Sequence, residues 1–489
     1  MPGTRVQLLE AVFGLLKTCT GPHMVWIAGM AGTGKTSIAL TLCRMLWHDT
    51  SVYLGGTFFC SRSAVSIERT DVQRIIPTLA TLLARQFPAF ASSLARQFTD
   101  TPDVAHWSVR DQVDRLVVQP LEELATYTGQ IVFVIDALDE CNNSSQLGEL
   151  ISAIADFRST LPIKFLLTSR PEMYIRRTPI NDPILSSILR LHTVDPDQVT
   201  ADIRLYISTM FARVSGTITW YSVQDIEALV TLSGGLFIFA STVLQYILDK
   251  DNNHGRRERL RKATTTVAHS VAATATLDQI YELVITEASR SDRVDADELE
   301  SMRQILACIL TARASLSVHA LADLVKVSPA SLRCSLERLH SLVHLPNEDT
   351  EPDVRTLHAS FGDYMLSRAA SHIRLAPSLG HDLLADGCLR RMGWPDLCFN
   401  ISCSYSSFEP YDEFEPESIS LSLIYACLHW AHHIDAASTR SAFDEMVGGI
   451  FRRKFLFWLE VLSITEKMTV ASGLLRIASS SVSLSFTCA

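Results

Sequence analysis

The stretch VWIAGMAGTGKTSIALTLC, residues 25–43, decides the fold of this 489-residue chain. An apolar run typical of a buried strand ends there in a glycine-rich turn. Gly29, Gly34, Lys35 and Thr36 then satisfy the pattern G-x-x-x-x-G-K-[ST]. A strand before this pattern and an amphipathic helix after it are the context in which such a loop binds phosphate. The sequence therefore predicts a P-loop with a nucleotide as its ligand.

The residue types in this loop follow from phosphate chemistry. Glycines let consecutive backbone N–H groups turn towards phosphate oxygens, and the N-terminus of the following helix adds partial positive charge. We predict that Lys35 reaches the β- and γ-phosphates and that Thr36 offers its hydroxyl to Mg²⁺. The predicted nucleotide-binding residues of the loop are Gly29, Met30, Ala31, Gly32, Thr33, Gly34, Lys35, Thr36 and Ser37.

Three acidic residues follow a second apolar run. In IVFVIDALDEC, residues 131–141, the run ends at Asp136, and Asp139 and Glu140 come just beyond it. An acid at the carboxyl end of a strand beside the P-loop strand can hold Mg²⁺, directly or through water. We therefore predict Asp136 and Thr36 as metal ligands. A later acid can orient or deprotonate the attacking water, and chemistry alone does not choose between Asp139 and Glu140.

An arginine ends the next buried run, KFLLTSRPE, residues 164–172. A guanidinium at this end of a parallel sheet can form charge-assisted hydrogen bonds to a phosphate. We predict that Arg170 reaches the γ-phosphate. Short apolar runs alternate with longer helical patterns as far as about residue 190, which indicates an α/β domain with a parallel sheet and helices on both faces. The pattern after that point is mostly helical.

Composition narrows the class of protein. The chain has 43 basic and 53 acidic residues, a formal charge of −10, and no lysine-rich block. Non-specific nucleic-acid binding needs basic surface, so no nucleic-acid partner is predicted. No run of about 18 apolar residues occurs, and we predict no membrane span. Eleven cysteines without a CxxC pair, and no signal-peptide pattern at the N-terminus, predict reduced thiols in the cytoplasm.

Five segments in this order resemble the NACHT-type signal-transduction NTPases (STAND class), and most closely the fungal NLR-like set. These segments are WIAGMAGTGKT, GGTFFCSR, VFVIDALDEC, KFLLTSRPE and GGLFIFA. The family places a small residue directly after the magnesium aspartate, as Ala137 is here, and further acids where Asp139 and Glu140 stand. The resemblance runs from about residue 3 to 470 and is most specific in the nucleotide domain.

The resemblance implies a fixed series of domains that includes a winged helix. It implies that His358 is the winged-helix histidine which reaches the β-phosphate of ADP in the closed form. The predicted ranges are an N-terminal helix (1–20), the NACHT P-loop domain (21–190), a small helical domain (191–255), a connector (256–275), a winged-helix-like domain (276–372), a second helical domain (373–470) and a disordered tail (471–489).

Two departures from the family accompany the resemblance. Some relatives carry a proline near the adenine in a G-x-P motif, and Leu236 stands at that point in SGGLFIF. Family members usually have an N-terminal effector domain and C-terminal repeats. We expect this chain to lack both, and therefore to be a core that associates with itself or with full-length relatives.

Three functions remain open at this point. The first is a regulatory switch that binds ATP or ADP with Mg²⁺, with possible slow ATP hydrolysis, and that regulates self-association in NLR-like signalling. The second is a non-catalytic interaction module from a truncated paralogue. The third and weakest is a P-loop kinase, for which Arg176 and Arg177 are faint lid candidates. No guanine-reading N/TKxD pattern follows the acidic residues, which favours ATP over GTP.

Overall fold

Five strands with apolar sequences form one parallel sheet in the order β2-β3-β4-β1-β5. Every residue of β3 and β4 is buried, as expected for central strands covered on both faces. The strands are β1 (Met24–Ala28), β2 (Val52–Phe59), β3 (Gln130–Asp136), β4 (Ile163–Ser169) and β5 (Ser186–Arg190).

The part of the chain that is described has gaps. The computed structural model describes residues 3–18, 21–61, 69–100, 107–123, 129–156, 161–170, 186–191, 194–214, 220–248, 255–266, 273–289, 295–346, 348–349, 354–393, 395–401 and 419–481. The chain divides into two compact units, Met1–Leu277 and Asp278–Ala489.

Helices cover both faces of the sheet. One apolar core joins Val12 and Leu16 to Ile38 and Leu42 and to Val134 of β3. A second core on the opposite face contains apolar residues of the remaining early helices. The helices are α1 (Val6–Lys17), α2 (Lys35–His48), α3 (Ile75–Gln86), α4 (Pro88–Asp100), α5 (Val109–Val113), α6 (Gln119–Glu122) and α7 (Ser144–Ala155). The predicted α/β P-loop fold is confirmed.

Four helices complete the first unit: α8 (Pro196–Val214), α9 (Val223–Ser233), α10 (Phe237–Ile247) and α11 (Arg256–Thr266). The prediction of a connector is wrong for residues 256–266. The stretch is mostly basic and polar in sequence, but Leu260 and Ala263 are buried and stabilise it as a helix. Arg259 reinforces it by donating to the carbonyl of Ile247, 3.2 Å from Nε.

Among its described residues, the second unit contains helices, an antiparallel hairpin of β6 (Val343–His344) and β7 (Arg355–Thr356), and an isolated antiparallel bridge between Leu316 and Val354. The winged-helix-like domain predicted for 276–372 contains this hairpin and stays a prediction. The helices are α12 (Ala273–Ala288, which begins in the first unit), α13 (Ala296–Thr311), α14 (Val318–Val325), α15 (Pro329–Glu337), α16 (Ala359–Asp363), α17 (Pro377–Gly393), α18 (Leu421–Ala436), α19 (Asp444–Ile464) and α20 (Ala471–Ser481).

The last of these helices corrects another prediction. Residues 471–481 were expected to be disordered, but they form α20, because Leu474 and Ala478 lie one turn apart and are both buried. Residues 482–489 lie outside the described residues. Within the described residues, no helix is both long and apolar enough to cross a bilayer.

Candidate nucleotide-binding site

The glycine-rich loop connects the end of β1 to the start of α2. Gly29 donates its N–H to the carbonyl of Ser169, 3.1 Å away, which ties the loop to the end of β4. Gly32 and Gly34 have φ values of +78° and +89°, a region that a side chain strains. A Cβ at Gly32 would lie 2.0 Å from the side chain of Ile238. A side chain at Gly32 would therefore collide with Ile238, and one at Gly34 would strain the backbone.

Lys35 lies over the loop. Its Nζ donates to the carbonyls of Gly29 (2.7 Å) and Met30 (3.0 Å). Burial lowers the pKa of Lys35 below its usual range, and the Asp139 carboxylate opposes this shift. The ammonium group is therefore desolvated and held by carbonyl dipoles, which a phosphate can replace as a stronger partner.

Asp136 is only 2% exposed at the end of β3. The Thr168 hydroxyl donates to its Oδ1 at 2.5 Å and accepts the Ala137 N–H at 2.9 Å. Burial raises the pKa of Asp136, while hydrogen bonds from Thr168 and Thr36 act in the opposite direction. The structure thus brings the two predicted metal ligands, Thr36 and Asp136, into contact.

Thr168 was missed in the sequence. It ends up beside Asp136 because β4 lies between β3 and β1, where Thr168 pairs with Ile27. A hydroxyl near the end of an apolar strand is too common a feature to identify in advance.

The donor set suits magnesium better than a tightly ligated transition metal. Among the described residues, no group of three or more histidine, cysteine or acidic side chains is arranged to hold a metal. Mg²⁺ is commonly bound through one or two carboxylates together with water and substrate phosphates. Asp136 and Thr36 meet that requirement only when a nucleotide supplies the remaining oxygens.

Asp139 and Arg170 form an ion pair. The backbone N–H of Arg170 donates to Asp139 Oδ1 at 2.8 Å, and its Nε lies 3.0 Å from Oδ2. Asp139 is 6% exposed, so both carboxylate oxygens are engaged inside the protein. Glu140 lies in the same short turn, which begins at Ala137 with a φ of +57°. Glu140 is half-buried, whereas Asp139 is buried.

A cleft of about 540 Å³ extends the phosphate loop towards the N-terminal segment. Ligand sites commonly have volumes of about 300–1,000 Å³. The cleft is lined by residues of the loop and α2, by the segment before α1 and by α1 itself, and by α8 and α10. Its lining includes Arg5, Thr33, Ser37 and Phe237.

Arg5 was also missed in the sequence. It is 7% exposed and has a φ of +58°, and its backbone N–H donates to Asp202 at 3.0 Å. Its guanidinium carbon lies 5.1 Å from the ring centre of Phe237. Burial lowers the pKa of Arg5, and Nε and Nη1 find no hydrogen-bond partner among the described residues. Buried donors left unpaired are costly, so this arrangement suits a ligand with acceptor atoms.

In the GGLF segment, residues 234–237, Leu236 stands where some relatives carry the proline of the G-x-P motif. The next residue, Phe237, lines the cleft, and Leu236 does not. The next residue, Ile238, donates its N–H to the carbonyl of Gly32 at 3.1 Å. The start of α10 thus contacts the phosphate loop directly.

His358 belongs to the second unit, where it caps α16. Its Nδ1 accepts the Ser360 N–H at 3.1 Å and lies 2.7 Å from the Ser360 hydroxyl, which is 2.8 Å from the Tyr281 hydroxyl. Its role towards a nucleotide stays a prediction. Arg176 and Arg177, the lid candidates of the kinase alternative, lie outside the described residues.

Comparison with known proteins gives limited matches. The family model described as Nephrocystin 3, N-terminal, matches residues 8–170, the part that carries the loop and the acidic residues. No curated protein matches. A STAND protein with a tetratricopeptide repeat sensor from Pyrococcus horikoshii is 11% identical, with a TM-score of 0.45; the match covers 96% of this chain and 57% of that one.

Two further solved structures are similar over much of their length. Cdc6p from Pyrobaculum aerophilum is 14% identical with a TM-score of 0.36, and covers 79% of this chain and 93% of its own. The RuvB branch migration motor of Thermotoga maritima is 13% identical with a TM-score of 0.26, and covers 73% and 92%. The fold assignment rests on the sheet order and the loop rather than on these likenesses.

Proposed function

We propose that this chain is a nucleotide-dependent switch of the NACHT type that binds ATP or ADP with Mg²⁺ and hydrolyses ATP slowly. The observation that carries the proposal is the meeting of Lys35 and Thr36, which follow β1, with Asp136 at the end of β3, across the intervening strand β4. Phosphate, hydroxyl and carboxylate oxygens together complete the coordination that Mg²⁺ prefers. When bound, Mg²⁺ neutralises charge on the phosphates.

The acids have separate tasks in this proposal. Asp139 holds Arg170 through two contacts and so orients the guanidinium towards the phosphates. Glu140 is then the group that accepts a proton from, or orients, the attacking water. The burial of Asp139 and its contacts with Arg170 through both oxygens support this division, because such an acid has little capacity left to accept a proton, and Glu140 is the more exposed of the two.

The cleft beside the loop is suited to the base and ribose. Arg5 offers two unpaired donors and Phe237 an aromatic face, both next to Thr33 and Ser37 of the phosphate loop. Purines have acceptor nitrogens and a flat surface that match these groups. Together with the missing guanine-reading pattern, this favours adenine nucleotides.

The switch itself would act through α10. The Ile238 N–H donates to the carbonyl of Gly32. A change in the conformation of the phosphate loop would therefore displace the start of α10. Such a coupling lets nucleotide state bias two packings of the same chain. We propose that the biased outcome is self-association or association with longer relatives, in cytoplasmic signalling of the fungal NLR-like type, with His358 as a sensor of the closed form.

The test is calorimetric titration of the purified chain with ATP, ADP and GTP, with and without Mg²⁺. We expect adenine nucleotides to bind more tightly than GTP. Lys35→Ala removes the charge that faces the phosphates and should weaken binding by about 100-fold or more. Lys17→Ala is the matched control, because Lys17 pairs with Asp49 on the surface of the same unit. Equal losses in both variants, or no binding by the unmodified chain, would overturn the proposal.

A further inference from the structure

Two cysteines lie side by side next to the acidic turn. Cys60 follows the last residue of β2 and Cys141 follows Glu140, and both are free thiols. The Cys141 thiol donates to Cys60 Sγ across 3.3 Å. The two residues are 81 positions apart in sequence, so the contact is made by the fold.

The backbone on both sides of the pair is anchored. Cys60 donates its N–H to the carbonyl of Asp136 at 3.0 Å, and Asn142 donates its N–H to Thr70 at 2.9 Å. The Asn142 amide also donates to the Thr70 hydroxyl at 2.6 Å. The thiols are therefore held against each other, and a bond of about 2 Å between the sulfurs needs only a small approach.

We propose that Cys60 and Cys141 form a reversible disulfide on exposure to peroxide, and that this bond restrains the acidic turn and slows ATP hydrolysis. The effect on hydrolysis rests on the proposed function, whereas the disulfide itself does not. The bond would join the end of β2 to the residue directly after Glu140. It would leave the glycine-rich loop unconstrained.

The chemistry balances with hydrogen peroxide as the oxidant. One thiolate attacks a peroxide oxygen, which gives a sulfenic acid and, after protonation, one water. The second thiol then attacks the sulfenic sulfur, which forms the S–S bond and releases a second water. Two thiols lose two electrons in total and one peroxide gains them. A dithiol such as dithiothreitol reverses the bond by exchange.

Burial of the two thiols determines which oxidants can reach them. Cys60 is 4% and Cys141 6% exposed, so a small peroxide reaches them more readily than a bulky disulfide does. Pairing with the Cys141 thiol and burial raise the pKa of the Cys60 thiol, and the nearby Asp136 and Glu140 add to the shift.

The experiment begins by blocking the exposed thiols, which include Cys334 and Cys398, with a maleimide on the folded chain. The protein is then treated with peroxide, digested without reduction and analysed by mass spectrometry. We expect a peptide that links Cys60 to Cys141, and its loss after dithiothreitol. If peroxide oxidises the protein without this linked peptide, or if the peptide forms only in urea, the disulfide is refuted.

Hydrolysis is measured on the same samples. We expect ATP turnover to fall about tenfold on oxidation and to recover with dithiothreitol, because the acid that acts on water is restrained. ADP affinity should change less than about twofold, since the phosphate loop is not linked. Cys141→Ala should keep its turnover in peroxide. Unchanged turnover in fully linked protein would refute the regulatory role. A reduced chain that binds no nucleotide would instead refute the proposed function and leave the linked peptide as a separate result.

Discussion

The nucleotide site and the α17–α18 interface both bury polar side chains, but they stabilise them differently. In the second unit, Tyr425 accepts the Arg313 N–H at 3.1 Å and lies 2.8 Å from His433 Nε2. His433 Nδ1 lies 2.9 Å from His381 Nδ1. Burial lowers the pKa of His433 and that of His381, so both rings are neutral at neutral pH. Neutral groups therefore satisfy one another in a chain.

The nucleotide site shows the opposite condition. Burial raises the pKa of Asp136 and lowers that of Lys35, and two donors of Arg5 have no partner among the described residues. Buried groups that are charged or unpaired indicate a site that a ligand completes. Buried groups that are neutral and mutually paired indicate packing. The Tyr425–His433–His381 chain fits the second description, although Arg313 Nε near it has no partner among the described residues.

The largest expected effect comes from Asp136→Asn. The amide keeps the shape but loses the charge that attracts Mg²⁺, so ATP turnover should fall about 100-fold or more and Mg²⁺ should no longer strengthen ATP binding. Since a raised pKa in the folded state means that the ionised carboxylate destabilises the ligand-free fold, its melting temperature should hold or rise. Turnover and melting of this variant are compared with Asp156→Asn, a surface acid paired with Arg110. Normal turnover would show that Asp136 is a packing residue.

His433→Ala should have the reverse pattern. It removes a fully buried ring and leaves Tyr425 without its partner, which should destabilise the second unit by about 2–4 kcal/mol. Nucleotide affinity should stay the same. Hydrogen exchange of α17 and α18 measures the stability, with the exposed His372→Ala as control. A loss of nucleotide affinity without faster exchange would place the histidine in function instead.

Acid should affect the second unit first. Burial lowers the pKa of His429 to about 3 and that of His432 to about 4, with Arg313 adding to both shifts. Above the unfolded-state pKa of a histidine, about 6.5, the ring is neutral in both the folded and the unfolded chain. As pH falls below about 6.5, the unfolded chain binds a proton that the folded chain does not, so the free energy of unfolding falls. Each histidine that stays neutral in the folded chain lowers the free energy of unfolding by about 2 kcal/mol by about pH 5. Exchange of α18 measured from pH 7 to pH 5 should therefore accelerate; a pH-independent rate contradicts the assignment.

The smallest expected effect is at Arg5. Arg5→Leu keeps an apolar side chain beside Phe237 but removes the unpaired donors, so ATP affinity should fall about tenfold. Inorganic triphosphate should bind as before, because it lacks the base and ribose that would extend along the cleft to Arg5. Equal weakening of ATP and triphosphate would mean that Arg5 acts on the phosphates or on the fold rather than on the base.

Much of the nucleotide site could be predicted from the sequence, because a local pattern specifies it. Lys35 and Thr36 follow glycines at a fixed spacing, and Asp136 ends a strand whose apolar run is unmistakable. Thr168 and Arg5 could not be predicted. The first reaches the site through the strand order, and the second lies in a segment before α1 whose return to the phosphate loop leaves no local signal.

The helical part was harder to read for a different reason. Polar or basic residues dominate 256–266 and 471–481, yet two buried apolar positions one turn or less apart hold each as a helix. Tertiary packing, rather than composition, decides such segments. The histidine chain was likewise hidden, because His381 and Tyr425 lie on helices separated by many residues in sequence.

We propose that a bound nucleotide completes the buried groups of the nucleotide site, which include Lys35, Asp136 and Arg5. The most direct test is to denature the freshly purified chain and to identify by chromatography any nucleotide that it releases, with Lys35→Ala prepared in parallel. We expect the unmodified chain to release about one ADP or ATP per chain and Lys35→Ala to release none. A folded chain that releases no nucleotide and takes up no labelled ADP or ATP in the presence of Mg²⁺ would contradict it.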